Sequence, residues 1–181
     1  FYVPLCEKLI ELNKNDDRKM WEYSRSDTVK KPETLKKVRQ AGIKWLCLGI
    51  ESGDKKVRLE VSKGKFEDVD VRKIISRIHE ADIEVMANYI FGLPGDTKDT
   101  IKKTMDLSLA LCTSGWNTYA AMAFPGHLLS KNALEYGIYL PRISAVYSFH
   151  AFETLPLPTA QLQASDIISF RSATFTNYHN L

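Results

Sequence analysis

The stretch Ala87 to Thr97, A-N-Y-I-F-G-L-P-G-D-T, leaves this chain few folds to choose from. Ile83, Val85 and Ala87 alternate with charged or polarisable neighbours, and the run closes on β-branched and aromatic residues, the composition of a buried strand. A turn comes at once. Gly92 and Gly95 open backbone angles closed to other residues, while Pro94 fixes its own φ and biases Leu93 away from the helical region. Asp96 or Thr97 can cap a helix, since Ile101, Met105, Leu109 and Cys112 recur at helical spacing. Strand, Gly-Pro-Gly turn and helix together put the turn at the carboxyl end of a strand, where parallel α/β folds hold their ligands. Gly and Pro suit any strand-to-helix connection, so spacing alone leaves a plain turn open beside a ligand site.

The same rhythm runs through the chain. Val3, Leu5, Cys6, Leu9, Ile10 and Leu12 give a helical stripe in Phe1 to Leu12, and residues 13–18 form a polar loop. Met20 to Tyr23 reads as a short strand with Arg25 and Asp27 near its end, a pair as suited to surface polar contact as to a site. Pro32 suits a first helical turn, Leu35 and Val38 face inward, and Gly42 stops the helix after Ala41. Ile43 to Ile50 is a nearly continuous apolar run, as in a strand covered on both faces, and Glu51 and Ser52 stand at its carboxyl end. Asp54 can cap a short helix bearing Val57 and Val61, with Lys63 at its end, where a cation suits the helix dipole. Val71, Ile74, Ile75 and Ile78 make a clean helical stripe with His79 on its solvated flank. Trp116 to Phe124 reads as a further strand, stopped by Pro125, Gly126 and His127; a lone His after such a turn suits a cap or solvent. Residues 128–137 suit a helix closed by Gly137, residues 141–158 are irregular, and Ser165 to Tyr178 is helical through Ile167, Ile168 and Phe175.

Composition narrows the function classes. The 181 residues, 44% of them hydrophobic, suffice for the core of a single domain. The net charge of +3 is spread as Lys-Lys pairs among acids, which gives no nucleic-acid footprint. No apolar run approaches the ~20 residues of a membrane span, and Phe1 to Ile10 lacks the basic start of a signal peptide, so the cytoplasm is the expected compartment. Cys6, Cys47 and Cys112 are odd in number and far apart, which fits reduced core thiols better than disulfides.

I-F-G-L-P-G-D-T at 90–97, followed by an amphipathic helix, resembles the fifth-strand motif of the radical S-adenosylmethionine enzymes. G-I-E-S-G at 49–53, with Lys63 twelve residues past Glu51, resembles the fourth-strand region of the same family, and A-F-P-G-H at 123–127 resembles its sixth-strand P-G-T segment with His127 for Thr. The likeness extends loosely from Phe1 to about Tyr178. It implies an α/β fold, a partial TIM-type (β/α) barrel with parallel strands near Trp21, Ile43, Ile83 and Asn117 alternating with helices, plus an irregular and helical C-terminal tail. Residues 1–140 would hold the third to sixth strand-helix units and 141–181 the tail.

The resemblance also implies roles. Glu51 and Asn88 stand where family members hydrogen-bond the ribose hydroxyls, with Ser52 beside Glu51, and Lys63 where a cation pairs with the methionyl carboxylate. Ile90 occupies the adenine-facing position, and Ala123 or Phe124 supplies backbone contacts to the base; core packing is an equal reading for these three. Asn88 departs from the Asp or Gly often found there, and Asp96 reads mainly as a helix cap. The family's C-x3-C-x2-C triplet, which binds a [4Fe–4S] cluster, has no counterpart, nor has its Gly-Gly-Glu segment. With a start on Phe1 and an end in mid-helix, the chain reads as an excised piece lacking catalytic and metal-ligating residues of its own. It would bind the adenosyl moiety in a longer enzyme that acts on a small-molecule substrate, and self-associate through its uncovered barrel interior. The tail F-H-A-F-E-T-L-P-L-P-T, followed by F-R-S-A-T-F, resembles the segment after the barrel in enzymes carrying a cobalamin domain, so cobalamin joins S-adenosylmethionine as an expected cofactor. A clusterless, non-catalytic interaction module and a barrel enzyme unrelated to radicals stay open as alternatives.

Overall fold

The computed structural model describes residues 2–12, 18–61, 69–124, 133 and 156–180. Among them, β1 (Met20–Arg25), β2 (Ile43–Glu51), β3 (Glu84–Phe91) and β4 (Gly115–Ala120) form one sheet in the order β1-β2-β3-β4. The helices are α1 (Tyr2–Leu12), α2 (Pro32–Gln40), α3 (Lys55–Val61), α4 (Val71–Glu80), α5 (Lys98–Leu111) and α6 (Ala164–His179). Strands run parallel, with β1 against β2 in the register Trp21↔Trp45, Tyr23↔Cys47 and Arg25↔Gly49. The expected strand-helix alternation is therefore found. Two compact units are distinguished: residues within 1–50, 64–88 and 108–117, and residues within 51–63, 89–107 and 118–181.

In the first unit, α2 starts on Pro32 and ends through Gly42 at φ 94°, a left-handed position that glycine adopts without strain. Its Leu35 and Val38 are buried, as are all four residues of the α4 stripe, Val71, Ile74, Ile75 and Ile78. Such side chains stabilise by about 1.5–3 kcal/mol each when fully buried. Asp70 caps α4 through Lys73 N, and the helix ends with Asp82 at φ 57°, where Ile83 N reaches Ile78 O at 3.3 Å. Arg39 pairs with that strained Asp82, and Lys37 pairs with Glu7, joining α2 to α1. The Tyr2 hydroxyl donates to Glu22, whose carboxyl is pushed up to about 7 by burial.

The helical stripe expected in α1 is only partly realised: Cys6 is buried, whereas Leu5 and Leu12 are exposed. On β1, Trp21 is 60% and Tyr23 68% exposed, and with Met20, Trp45, Cys47 and Met86 they line an apolar groove of ≈ 510 Å³.

In the second unit, Ile167 of α6 and Leu162 just before that helix pack with Phe91, Ile101 and Ala120, while Val57, Leu93 and Ala121 form a second cluster with Ile90 at its margin. Ala133 is helical and buried. The expected strand over 116–124 is shorter: β4 stops at Ala120, although Ala121 N still donates to Phe91 O at 2.7 Å. Cys112 is exposed rather than a core thiol, because α5 ends at Leu111 and Cys112 turns to φ 40°. Lys63, the Pro125-Gly126-His127 turn, His150, most of the 128–137 segment and residues 141–155 lie outside the described residues.

Candidate functional site

β2 ends on Glu51 with φ 68°, a left-handed conformation that costs a non-glycine residue about 1–2 kcal/mol. The residues after it are closely bonded. Ser52 is fully buried, and its Oγ lies 3.2 Å from Thr104 Oγ1 on α5. Thr104 also accepts from Gly53 N at 2.8 Å and donates to Thr100 O at 3.0 Å. A threonine hydroxyl has one proton, so with that proton on Thr100 O, Ser52 must donate to Thr104. Ser52 Oγ in turn accepts from Asp54 N at 3.1 Å, and Arg58 Nη1 donates to Ser52 O at 2.7 Å.

Gly53 passes so close to α5 that a Cβ would sit 2.4 Å from Lys103 O. Asp54 caps α3 through Lys56 N and Val57 N, as expected, and receives Lys103 Nζ at 2.7 Å, which holds its carboxyl below the usual range. The Glu51 carboxyl is different. Among the described residues no protein group bonds it, and burial pushes it up to about 7.

At the end of β3, Asp96 is buried and accepts from Gly92 N at 3.0 Å and Leu93 N at 2.9 Å with one oxygen, and from Thr100 Oγ1 at 2.8 Å with the other. Burial raises its carboxyl against the opposing pull of Thr100 and the two amides. The helix cap is Thr97 instead: Thr100 N donates to Thr97 Oγ1 at 3.2 Å and Thr97 N to Thr100 Oγ1 at 2.9 Å. Asp96 thus clasps the turn behind it rather than capping the helix ahead. Gly92 has φ 82°, and a Cβ there would meet Ile167 Cδ1 at 2.7 Å. Thr159 Oγ1 donates to Asp96 O at 2.9 Å, so the C-terminal segment packs directly on this turn. Ile90 is half-buried, Ala123 buried and Phe124 half-buried.

In the other unit, Asn88 is 7% exposed and its Oδ1 accepts from Asn117 Nδ2 at 3.0 Å. Arg25 and Asp27 meet in a two-pronged contact at 3.0 and 2.8 Å, in agreement with the surface reading. Cys6 and Cys47 are buried, Cys47 Sγ lying 3.8 Å from Met86 Sδ, and among the described residues no three His, Cys, Asp or Glu come together as a metal site.

Sequence reasoning does not single out Thr100 and Thr104. Their signal is nonetheless in the sequence: Thr100, Thr104 and Ser108 recur every fourth residue on α5, and Thr104 and Ser108 are buried with Ile101. Asn117 carries no such signal beyond its place in a strand.

Parallel strands alternating with helices, with left-handed residues in the turns at their carboxyl ends, place the chain among α/β barrel-type proteins. The pattern of the radical SAM superfamily matches residues 1–108, and the chain belongs to that superfamily. It is 31% identical over 104 residues to the anaerobic magnesium-protoporphyrin IX monomethyl ester cyclase of Cereibacter sphaeroides, a match covering 57% of this chain and 17% of the cyclase. Its fold matches TsrM, a radical S-adenosylmethionine methyltransferase of Kitasatospora setae solved with cobalamin and a [4Fe-4S] cluster bound. The TM-score is 0.64 at 18% identity, over 74% of this chain and 27% of TsrM. It also matches HemN, the coproporphyrinogen III oxidase of Escherichia coli described as a radical SAM enzyme, with TM-score 0.64 at 17% identity over 98% of this chain and 38% of HemN. The chain thus spans between about a sixth and two fifths of these relatives. Both the expected family and the expected α/β, TIM-like fold are found. No helix among the described residues is long and apolar enough to cross a membrane.

Proposed function

We propose that this chain binds the adenosyl part of S-adenosylmethionine within a radical S-adenosylmethionine enzyme. Glu51 carries the reading: a half-buried side chain whose desolvated carboxyl has no protein partner among the described residues, held in a strained conformation at a strand end where the sequence resembles the family's fourth-strand motif. A carboxylate there can accept from a ribose hydroxyl. Asn88, at the other position that the family resemblance gives to the ribose, carries a side-chain amide chemically suited to a second hydroxyl.

Lys63 supplies the cation for the methionyl carboxylate, Ile90 lies against the adenine, and the backbone of Ala123 or Phe124 meets the base edge. Ser52, fully buried, serves the site by bracing Glu51. The bound cofactor, activated by a [4Fe–4S] cluster, would supply radical chemistry on a small-molecule substrate. Among the described residues no three His, Cys, Asp or Glu come together to hold such a cluster, and the role proposed for this chain concerns the adenosyl end. Cobalamin, bound in TsrM, enters the proposal without residues assigned to it.

Titration calorimetry with S-adenosylmethionine on the whole protein tests this. Glu51→Ala and Asn88→Ala should each weaken binding several-fold, the scale of about 0.5–1.5 kcal/mol for a hydrogen bond to a neutral hydroxyl. Unchanged affinity in both variants sinks the assignment. A whole protein that neither binds the cofactor nor assembles a cluster would be a non-catalytic barrel.

A further inference from the structure

We propose that Thr104, on α5, is a positioning residue for the adenosyl site: its hydroxyl holds Ser52 and Gly53 and so fixes Glu51 in its left-handed conformation. The inference rests on the assignment of Glu51 to the ribose. A left-handed non-glycine residue persists only where its surroundings over-determine it. The residue after Glu51 is fixed from every polar atom of its side chain and carbonyl: Oγ by Thr104 and Asp54 N, O by Arg58. The next residue, Gly53, is fixed by its amide on Thr104 and by its contact with the α5 backbone.

Thr104 makes all three bonds a hydroxyl can make: it accepts from Gly53 N and from Ser52, and donates to Thr100 O. Removing that oxygen strands the Ser52 hydroxyl and the Gly53 amide together, because Ser52 is fully buried and Gly53 is pressed against α5. Thr104 is itself 2% exposed, so it acts on the ligand only through Glu51.

α5 braces the neighbouring turn in the same way. Thr100, one helical turn earlier, donates to Asp96, whose carboxylate clasps Gly92 and Leu93. Thr100, Lys103 and Thr104 lie three and four residues apart, which places them on one face of the helix. That face holds Asp96, Asp54 and the Ser52-Gly53 pair.

Thr104→Val keeps the shape of the side chain and removes the oxygen, and Thr104→Ser keeps the oxygen and removes the methyl. In the whole protein, Thr104→Val should weaken S-adenosylmethionine binding several-fold by calorimetry, and by no more than Glu51→Ala does, since it acts only through Glu51. Thr104→Ser should bind within about twofold of the parent. Amide exchange over residues 51–54 should rise in Thr104→Val and stay at the parent level in Thr104→Ser.

The deciding readout is the Glu51→Ala background, in which Thr104→Val should cause no further loss, since residues acting through one another are non-additive. A full additional loss there would show a general structural role and overturn the inference. So would equal binding by Thr104→Val and the parent while Glu51→Ala is impaired, and in that case the site assignment survives. An unimpaired Glu51→Ala sinks both. If Thr104→Val does not fold, Ser52→Ala decides: it should weaken binding in the parent and not in the Glu51→Ala background, and additivity there overturns the proposal.

Discussion

Replacing Glu51 by Gln should make the protein more stable at pH 8.5 and leave it unchanged at pH 4. The carboxyl has moved from its ordinary 4.5 to about 7 because burial disfavours its charged form. A raised folded-state value means that the folded chain holds its proton more tightly than the unfolded chain. Stability from this group is fully present below about pH 4.5, falls as pH rises, and is lost through about pH 7. At 1.36 kcal/mol per tenfold change the ionised, buried carboxylate costs about 3 kcal/mol, and about 2 kcal/mol once solvent at its open edge is allowed for.

Gln keeps the length and the strained backbone but cannot ionise, so the comparison isolates the charge. On a chain of this size about 2 kcal/mol corresponds to a Tm rise of about 4–8 °C at pH 8.5. Urea titrations at pH 4, 6, 7 and 8.5 would measure it, with Glu22→Gln as a parallel variant, because Glu22 is displaced in the same direction by burial beneath Tyr2. Parent and Glu51→Gln chains that lose the same stability between pH 4.5 and 8 would refute the claim that Glu51 is a desolvated, unpartnered acid.

Asp96→Ala should lower stability by about 2–4 kcal/mol, since two backbone amides and the Thr100 hydroxyl lose a charged acceptor, whereas Thr97→Ala, the true cap, should cost about 1 kcal/mol. Equal costs in denaturant titrations would return the cap to Asp96. The 181-residue chain should self-associate through the groove of Trp21, Tyr23 and Trp45, and a Trp21→Ser, Tyr23→Ser double variant should reduce the sedimenting mass. Identical sedimentation of the parent and the double variant would place the contact elsewhere.

The parts of the fold legible in the sequence are those where one local signal decides. Pro32 and Gly42 bracket α2, the four apolar residues of α4 are all buried, and the Gly92–Gly95 turn carries two left-handed glycines. The parts that are not legible depend on partners far away in the chain. Cys112 extends the stripe of Ile101, Met105 and Leu109 beyond α5, because periodicity cannot see where a helix stops; the helix ends at Leu111. Asp96 precedes a helix and reads as its cap, yet the fold gives it two amides behind it instead. Ser52 reads as a ligand group because of its place beside Glu51, and its burial cannot be seen from one sequence. The hydroxyls of Thr100 and Thr104 look like solvent-facing polarity, since a polar residue on a helix is ordinarily exposed. They are drawn inward because each has partners that satisfy it.

The bridge between Ser52 and Thr104 closes a loop of 52 residues. In a disordered chain that closure costs about 3.5 kcal/mol beyond a constant, from (3/2)RT ln n, more than the one or two hydrogen bonds it makes return on their own. It is expected to form after the intervening segments have brought its ends together. If Thr104 holds the turn as proposed, the Glu51 conformation depends on α5 as well as on its near neighbours Asp54 and Arg58. A peptide of residues 43–61 would contain the motif and lack the geometry, and a growing chain acquires the bent carboxylate only when α5 has been made.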